Sequence, residues 1–220
     1  MLGRRRGFYE ADGEFHPSNL PMACVGGALL WMGWFGFNAG SALTAAESTA
    51  LVITNTQLAS STCMLVWLGV GWFRHRPSVM DALNGAIAGL AGVTPAAGYI
   101  SPWAAFLLGL LLGFASYFAL QTLRFRFHID DALDVSSVHG VTGIVGSLFI
   151  GLAADRTLFP GMADNGIFFG SHSAYLLSVQ ALAVVVCFAY AGLVTYLIFR
   201  ALLFFGPISF NAVSRSISMC

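Results

Sequence analysis

The sequence contains no lysine and few charges of either sign. Its 220 residues include 10 basic residues, all of them arginine, and 10 acidic ones, so only 9% of the chain is charged. Soluble domains carry about a quarter charged residues, because a surface that faces water needs polar cover. This scarcity excludes an ordinary water-soluble fold. The formal net charge of zero gives no reason to expect a nucleic-acid partner.

Metal-binding and disulfide patterns are missing as well. The four cysteines, Cys24, Cys63, Cys187 and Cys220, are far apart and have no metal-type spacing. Three of them lie in apolar runs, where cysteine behaves as a small hydrophobic residue. The sequence also lacks a nucleotide-binding loop and a paired nucleophile and base. We therefore expect no metal, no cofactor and no enzymatic activity.

Apolar residues make up 57% of the chain, and the mean hydropathy is +0.78. A membrane-spanning helix needs about 20 mostly apolar residues to cross about 30 Å of hydrocarbon. Six segments reach this length, and they are too long and too uniformly apolar for strands. The segments are Leu20–Ala42, Ala46–Phe73, Ser78–Tyr99, Pro102–Leu123, Asp134–Ala154 and Ala174–Phe205. The sequence predicts an all-α, polytopic membrane protein with a six-helix region over residues 20–205.

The placement of the arginines predicts the orientation of these spans. If all six cross the membrane, one side carries nine arginines and the other carries only Arg156. The nine are Arg4, Arg5, Arg6, Arg74, Arg76, Arg124, Arg126, Arg200 and Arg215. Basic residues concentrate on the cytoplasmic side. We therefore expect a multi-pass protein of the plasma or inner membrane, with a cytoplasmic segment at residues 1–19 and a short cytoplasmic tail at 206–220.

Glycines and carboxylates near the helices have simple structural interpretations. Gly85 and Gly89 lie four residues apart on the third segment, a spacing that lets membrane helices approach closely. Glu47 lies near a helix start, where a carboxylate complements the helix dipole, so we expect it to act as a cap. For Asp81, near the start of the third segment, capping and a functional role both remain open.

One histidine lies inside a predicted span. His139 is in the fifth segment, whereas the other four histidines lie in loops or at boundaries. A neutral imidazole can donate and accept a hydrogen bond at once, and its ordinary pKa lies near neutrality. It can therefore hold a small polar molecule or pass a proton. Because polar groups in lipid are costly, a functional role is favoured over a structural one.

The end of the first segment is unusual, since residues 33–41 alternate aromatic residues with glycine and end in Asn-Ala-Gly-Ser. Aromatic faces attract cations, and a nearby hydroxyl can accept a hydrogen bond from an ammonium group. In the orientation given by the arginines, Ser41 lies at the outer mouth of the span. An interfacial aromatic belt with close packing explains the same residues equally well.

Three stretches carry a more specific pattern. Residues 33–41 read Gly-Trp-Phe-Gly-Phe-Asn-Ala-Gly-Ser, residues 84–96 form a glycine-rich run that ends in Thr-Pro-Ala, and residues 130–146 contain Val-His-Gly-Val. Together they resemble the sixth, eighth and tenth helices of the Amt/MEP/Rh ammonium transporter family, and specifically its Amt branch. The resemblance covers about residues 15–200.

The resemblance implies roles for individual residues. Ser41 matches the outer-vestibule serine that binds incoming ammonium, and Phe37 matches a phenylalanine that gates the pore. Trp34 matches a pore-lining tryptophan, and His139 matches the second of two pore histidines. Three further residues are expected to be structural and near the pore: Asp134, Asn38 and Thr94.

The family has eleven spans in two halves with the pore between them, and this chain resembles only the last six. We expect ammonium or ammonia transport through a histidine-lined pore, in a trimer, by a fragment or half-subunit that needs the first five family helices as its partner. A truncated gene product and a natural half-subunit both remain open. A different alternative is a non-transporting membrane scaffold or dominant-negative partner of full-length transporters.

Overall fold

The computed structural model describes residues 17–74, 76–159, 161–162, 164–170 and 174–206, and all regular structure in these ranges is helical. Six α-helices follow one another: α1 (Leu20–Gly40), α2 (Glu47–Arg74), α3 (Val79–Val93), α4 (Pro102–Gln121), α5 (Thr142–Ala153) and α6 (Tyr175–Phe205). With the π-helical turns that adjoin α4 and α5, all but α3 are long and apolar enough to cross a membrane. The all-α membrane fold is thereby confirmed. Most of the predicted N-terminal segment and tail lies outside the described residues.

The third helix is shorter than the sequence predicted. α3 ends at Val93 after 15 residues, whereas the predicted span continued to Tyr99. Pro95 lacks a backbone N–H and disfavours helical conformation in the residue before it, so the chain continues as turns. From α2, the fully buried Asn55 donates two hydrogen bonds to backbone carbonyls of this region, at 2.8 and 2.7 Å. The segment after α3 is therefore irregular in conformation but fixed to its neighbour.

The core of the molecule lies where α2, α3 and α4 pack together. A Cβ added to Gly85 would lie 2.8 Å from Cβ of Trp67, and one added to Gly89 would lie 2.6 Å from Cα of Ser60. Trp67 is fully buried, and its indole donates to Ser116 Oγ of α4 at 2.8 Å. Such distances leave no room for larger residues, which confirms the close helix packing predicted from the glycine spacing.

Asp81 has the capping role that the sequence left open. Ser78 Oγ accepts a hydrogen bond from Asp81 N at 3.0 Å, and the Asp81 carboxylate accepts one from Ser78 N at 2.8 Å. This reciprocal pair is a capping box, which satisfies backbone donors that the first turn of α3 cannot bond itself. The Asp81 carboxylate therefore caps the start of α3.

Two π-helical turns flank the loop between α4 and α5. They cover Thr122–Arg126 and Ser136–Val141. A π turn inserts an extra residue into a helix and changes the direction of its side chains, and such turns are frequent at functional sites. The second one contains His139.

The first and last helices, α1 and α6, make few contacts that bury their side chains. On α1 only Asn38 and Ala39 are buried, and on α6 only Leu176 is buried. Both helices consist largely of exposed apolar side chains, which in a membrane protein must face lipid or other protein segments. Phe37, one of the predicted functional residues, lies on the exposed face of α1.

Candidate functional site

The second half of α1 presents two aromatic side chains on one face. Trp34 and Phe37 are three residues apart, which places them on the same side of a helix. Their ring centroids lie 6.0 Å apart in a T-shaped arrangement, with 70° between the planes. Phe37 is 63% exposed, so its ring stands free of the helix bundle. The sequence between Leu20 and Gly40 contains no charged residue, so this face carries no charge.

His139 lies beside this aromatic face although it is distant from Trp34 in the sequence. Its imidazole lies nearly parallel to the Trp34 indole, with centroids 6.3 Å apart and 15° between the planes. The histidine is exposed and belongs to the π-helical turn before α5. The fold therefore brings together Trp34, Phe37 and His139, which the sequence singled out in two separate segments.

Thr94 accepts a hydrogen bond from the indole nitrogen of Trp34. The indole Nε1–H donates to Thr94 Oγ1 at 2.8 Å, and the threonine hydroxyl in turn donates to the carbonyl of Leu90 at 2.7 Å. Thr94 is the residue that directly follows α3. Three helical elements thus meet at the Trp34 side chain: α1 carries it, the end of α3 binds its nitrogen, and the π turn stacks His139 on its face.

The two polar residues that follow Phe37 lie differently. Asn38 points into the contact between α1 and α2, where its Nδ2 donates to Thr56 Oγ1 at 3.0 Å. Its Oδ1 atom is buried and has no hydrogen-bond partner among the described residues. Ser41 is exposed, and its hydroxyl donates to the carbonyl of Phe37 at 2.9 Å. Ser41 therefore lies one helical turn beyond the cluster of Trp34, Phe37 and His139.

Asp134 lies in the loop before the π turn. Both of its carboxylate oxygens accept hydrogen bonds from Nη2 of Arg124, at 2.6 and 2.7 Å, and Asn84 Nδ2 of α3 donates at 3.3 Å. Burial raises the pKa of Asp134, and the Arg124 charge opposes that shift. Its φ of 54° lies in the left-handed region that non-glycine residues rarely adopt. These contacts fasten the start of the histidine-bearing segment to α3 and to the end of α4.

An open apolar groove runs along α1 toward this cluster. It encloses about 540 Å³ and is lined by Gly26, Leu29, Leu30, Gly33, Trp34 and Phe37. Within the described ranges, no group of three His, Cys, Asp or Glu side chains is placed to hold a metal ion. The chemistry available along this face consists of aromatic surfaces, one imidazole and a few neutral hydroxyls.

Comparison with known proteins identifies the type of molecule. A model of the ammonium transporter family matches residues 1–213. The chain belongs to the ammonium transporter family. This is a family of transporters and not of enzymes, in agreement with the sequence analysis.

Two relatives and two solved structures illustrate the match. Ammonium transporter 1 of Dictyostelium discoideum is 47% identical over 199 residues, which cover 90% of this chain and 42% of the relative. Ammonium transporter Amt1 of Archaeoglobus fulgidus is 41% identical over 202 residues, which cover 91% of this chain and 49% of the relative. A structure named Sensor Amt Protein superposes with a TM-score of 0.79 at 31% identity, covering 91% of this chain and 49% of that one. The crystal structure of Mep2 from Candida albicans superposes with a TM-score of 0.76 at 34% identity, covering 84% of this chain and 41% of that one.

This family member therefore spans about half the length of the curated relatives that it matches. Its sequence pointed to every residue of the aromatic cluster and to Asp134, but it gave no indication of the side chains that bind Asp134. Arg124 served only as an indicator of orientation, and Asn84 only as part of a motif. Their pairing with Asp134 depends on how α3, α4 and the loop before α5 pack in three dimensions.

Proposed function

We propose that this chain forms one wall of an ammonium-conducting pore, in which Trp34, Phe37 and His139 line the passage and Ser41 receives ammonium at the outer mouth. The observation that supports this most is the stacking of His139 on Trp34 beside Phe37. A single titratable ring is thereby placed on an otherwise apolar aromatic face.

The chemistry of these groups suits ammonium. Aromatic faces attract cations, and Phe37 presents an exposed ring. The Ser41 proton is bonded to the backbone, so its oxygen is left to accept a hydrogen bond from an N–H group. An unpaired ammonium ion inside an apolar passage is penalised by several kcal/mol or more. The ion therefore deprotonates or stays partly solvated, and the His139 imidazole offers both a hydrogen bond to ammonia and a route for the proton.

The proposal requires a second wall. Phe37 and His139 are both exposed, and so is most of α1. We infer that a segment equivalent to the portion of the relatives that this chain does not match covers this face and closes the pore. Subunits built in this way assemble as trimers, with both termini in the cytoplasm, the orientation that the arginine distribution favours.

Uptake of methylammonium tests the function. This chain is coexpressed with the unmatched first portion of the Archaeoglobus relative in cells that lack their own ammonium transporters. We expect uptake above that of cells with either part alone, and we expect His139→Ala to abolish or alter it. His128→Ala is the control, because His128 lies exposed in the loop between α4 and α5. Uptake that is absent from the pair, or identical in all variants, contradicts the proposal.

A further inference from the structure

We infer that Thr94 is a positioning residue, whose hydroxyl fixes the indole of Trp34 against His139 and keeps the indole N–H away from the passing molecule. The inference deepens the proposed function, and only its transport readout rests on that proposal. It does not follow from the sequence, in which Thr94 and Trp34 are 60 residues apart.

The direction of the hydrogen bonds gives the first argument. An indole nitrogen is a donor only and carries one hydrogen, whereas a hydroxyl has one hydrogen and two lone pairs. The Thr94 proton is directed to the Leu90 carbonyl at 2.7 Å, so its oxygen remains free to accept the Trp34 hydrogen at 2.8 Å. Both bonds have ordinary lengths, and the indole hydrogen and the hydroxyl hydrogen each form one of them. The indole hydrogen is therefore occupied before any substrate arrives.

The position of Thr94 gives the second argument. It directly follows α3 and precedes Pro95, whose ring fixes its own backbone angle. Asn55 holds the turns beyond it with two hydrogen bonds. Threonine itself is branched at Cβ and has few rotamers. The hydroxyl thus stands on a rigid part of the molecule and can hold a large ring in one orientation.

The third argument is the geometry that results. Trp34 contacts His139 with nearly parallel rings and Phe37 with an edge. An indole released from Thr94 is free to turn about its side-chain bonds, and then neither relation is enforced. With the bond in place, Trp34 offers its π surface to the passage and cannot donate a hydrogen bond to ammonia. His139 is left as the polar group of this cluster.

Nuclear magnetic resonance of the intact chain tests the bond directly. The chain is labelled with ¹⁵N in tryptophan and histidine and placed in lipid nanodiscs, and Trp34→Phe and His139→Gln assign the two signals. Thr94→Val keeps the branched shape but removes the acceptor. Thr94→Ser keeps the hydroxyl. The matched control is Thr54→Val on α2, because the Thr54 hydroxyl donates to the Ala50 carbonyl at 2.9 Å in the same way as that of Thr94 donates to Leu90.

We expect Thr94→Val to shift the Trp34 indole proton upfield and to move the His139 ring signals. Thr94→Ser should leave both close to the parent, as should Thr54→Val. An unchanged indole signal in Thr94→Val overturns the hydrogen bond. A shifted indole with unchanged His139 signals overturns the positioning role. If Thr94→Val does not fold, Thr94→Ala, which also removes the hydroxyl, is measured and judged in the same way.

Transport by the assembled pair gives the functional readout. We expect Thr94→Val to lower the maximal rate of methylammonium uptake about fivefold, the effect of one neutral hydrogen bond, with KM little changed because Ser41 and Phe37 are untouched. Thr94→Ser should restore the rate. A rate equal to that of the parent contradicts the inference and leaves the proposed function intact. A parent pair without uptake contradicts the proposed function, while the resonance measurements still decide whether Thr94 positions the rings.

Discussion

Asp134 binds Arg124 with both of its carboxylate oxygens, which lie 2.6 and 2.7 Å from the same guanidinium nitrogen. The two side chains are largely buried, with 13% and 21% of their surface exposed. Arg124 belongs to the π-helical turn after α4, and Asp134 precedes the turn that carries His139. The pair therefore connects the two π turns and fixes the entry of the chain into the histidine-bearing segment.

Removal of the arginine should destabilise the molecule. We expect Arg124→Gln to lower the free energy of unfolding by about 2 kcal/mol, because it leaves a partly buried carboxylate without its charged partner. Reversible unfolding in mixed detergent micelles measures the change. Arg126→Gln is the control, since Arg126 is exposed on the same turn. In a double-mutant cycle with Asp134→Asn, additive losses would show that the two residues do not act as a pair.

Trp34 should be needed for transport, whereas the tryptophan one turn earlier should not. We expect Trp34→Leu to lower methylammonium uptake by the assembled pair about tenfold, because it removes the ring that contacts both Phe37 and His139. The matched control is Trp31→Leu. The Trp31 indole donates to Gln57 Oε1 at 3.2 Å and so points toward α2. Equal losses in the two variants would indicate a general effect on α1 and not a role in the pore.

The sequence predicted the helices well because their signals are local. Runs of about 20 apolar residues, the glycine spacing on α3 and a histidine within an apolar span can each be recognised without tertiary structure. The end of α3 at Val93 was missed because residues 94–99 carry no charge and were counted into the span, although their backbone forms turns and not a helix. Pro95 carried the signal for that boundary.

The partners of the site residues could not be predicted from the sequence. Trp34 and Thr94 are 60 residues apart, and Asn84 and Asp134 are 50 apart. Which side chains meet depends on the rotation and crossing of whole helices, and a small rotation of α1 would direct the Trp34 nitrogen elsewhere. The sequence of a membrane protein indicates which residues lie within the bilayer. It does not indicate which of their side chains contact one another, because that depends on how the helices pack.

The Asp131 carboxylate should make stability depend on pH. It accepts a hydrogen bond from Ser136 N at 2.6 Å. Burial acts to raise its pKa, but hydrogen bonds from Ser136, Val135 and Leu133 outweigh this effect and hold the pKa below its ordinary value. A carboxyl group whose pKa is lower in the folded state stabilises the fold above about pH 4, its unfolded value. That contribution is lost as the pH falls through the folded-state pKa.

We therefore expect Asp131→Ala to melt at a lower temperature than the parent at pH 6, with the difference shrinking as the pH is lowered toward 3. Thermal unfolding in nanodiscs across this range measures it. Arg126→Gln again serves as the reference, because an exposed arginine does not titrate in this range. A difference between Asp131→Ala and the parent that stays constant with pH would mean that the carboxylate charge does not stabilise this loop.

The contact between α5 and the end of α3 is so close that a side chain on Gly146 should destabilise it. A Cβ on Gly146 would overlap the backbone carbonyl of Gly92, whereas one on Gly143 of the same helix meets nothing within 4 Å. A clash with backbone cannot be relieved by a rotamer change, so we expect Gly146→Ala to cost about 2–3 kcal/mol of stability.

Gly143→Ala should be neutral or stabilising by up to about 1 kcal/mol, since alanine favours the helix. The two variants are compared by detergent unfolding and by the Trp34 and His139 resonances. Because α5 continues the turn that carries His139 and α3 leads into Thr94, displacement of one against the other should separate the rings in Gly146→Ala alone. Equal stability and equal spectra in the two variants would mean that α5 does not approach α3 this closely.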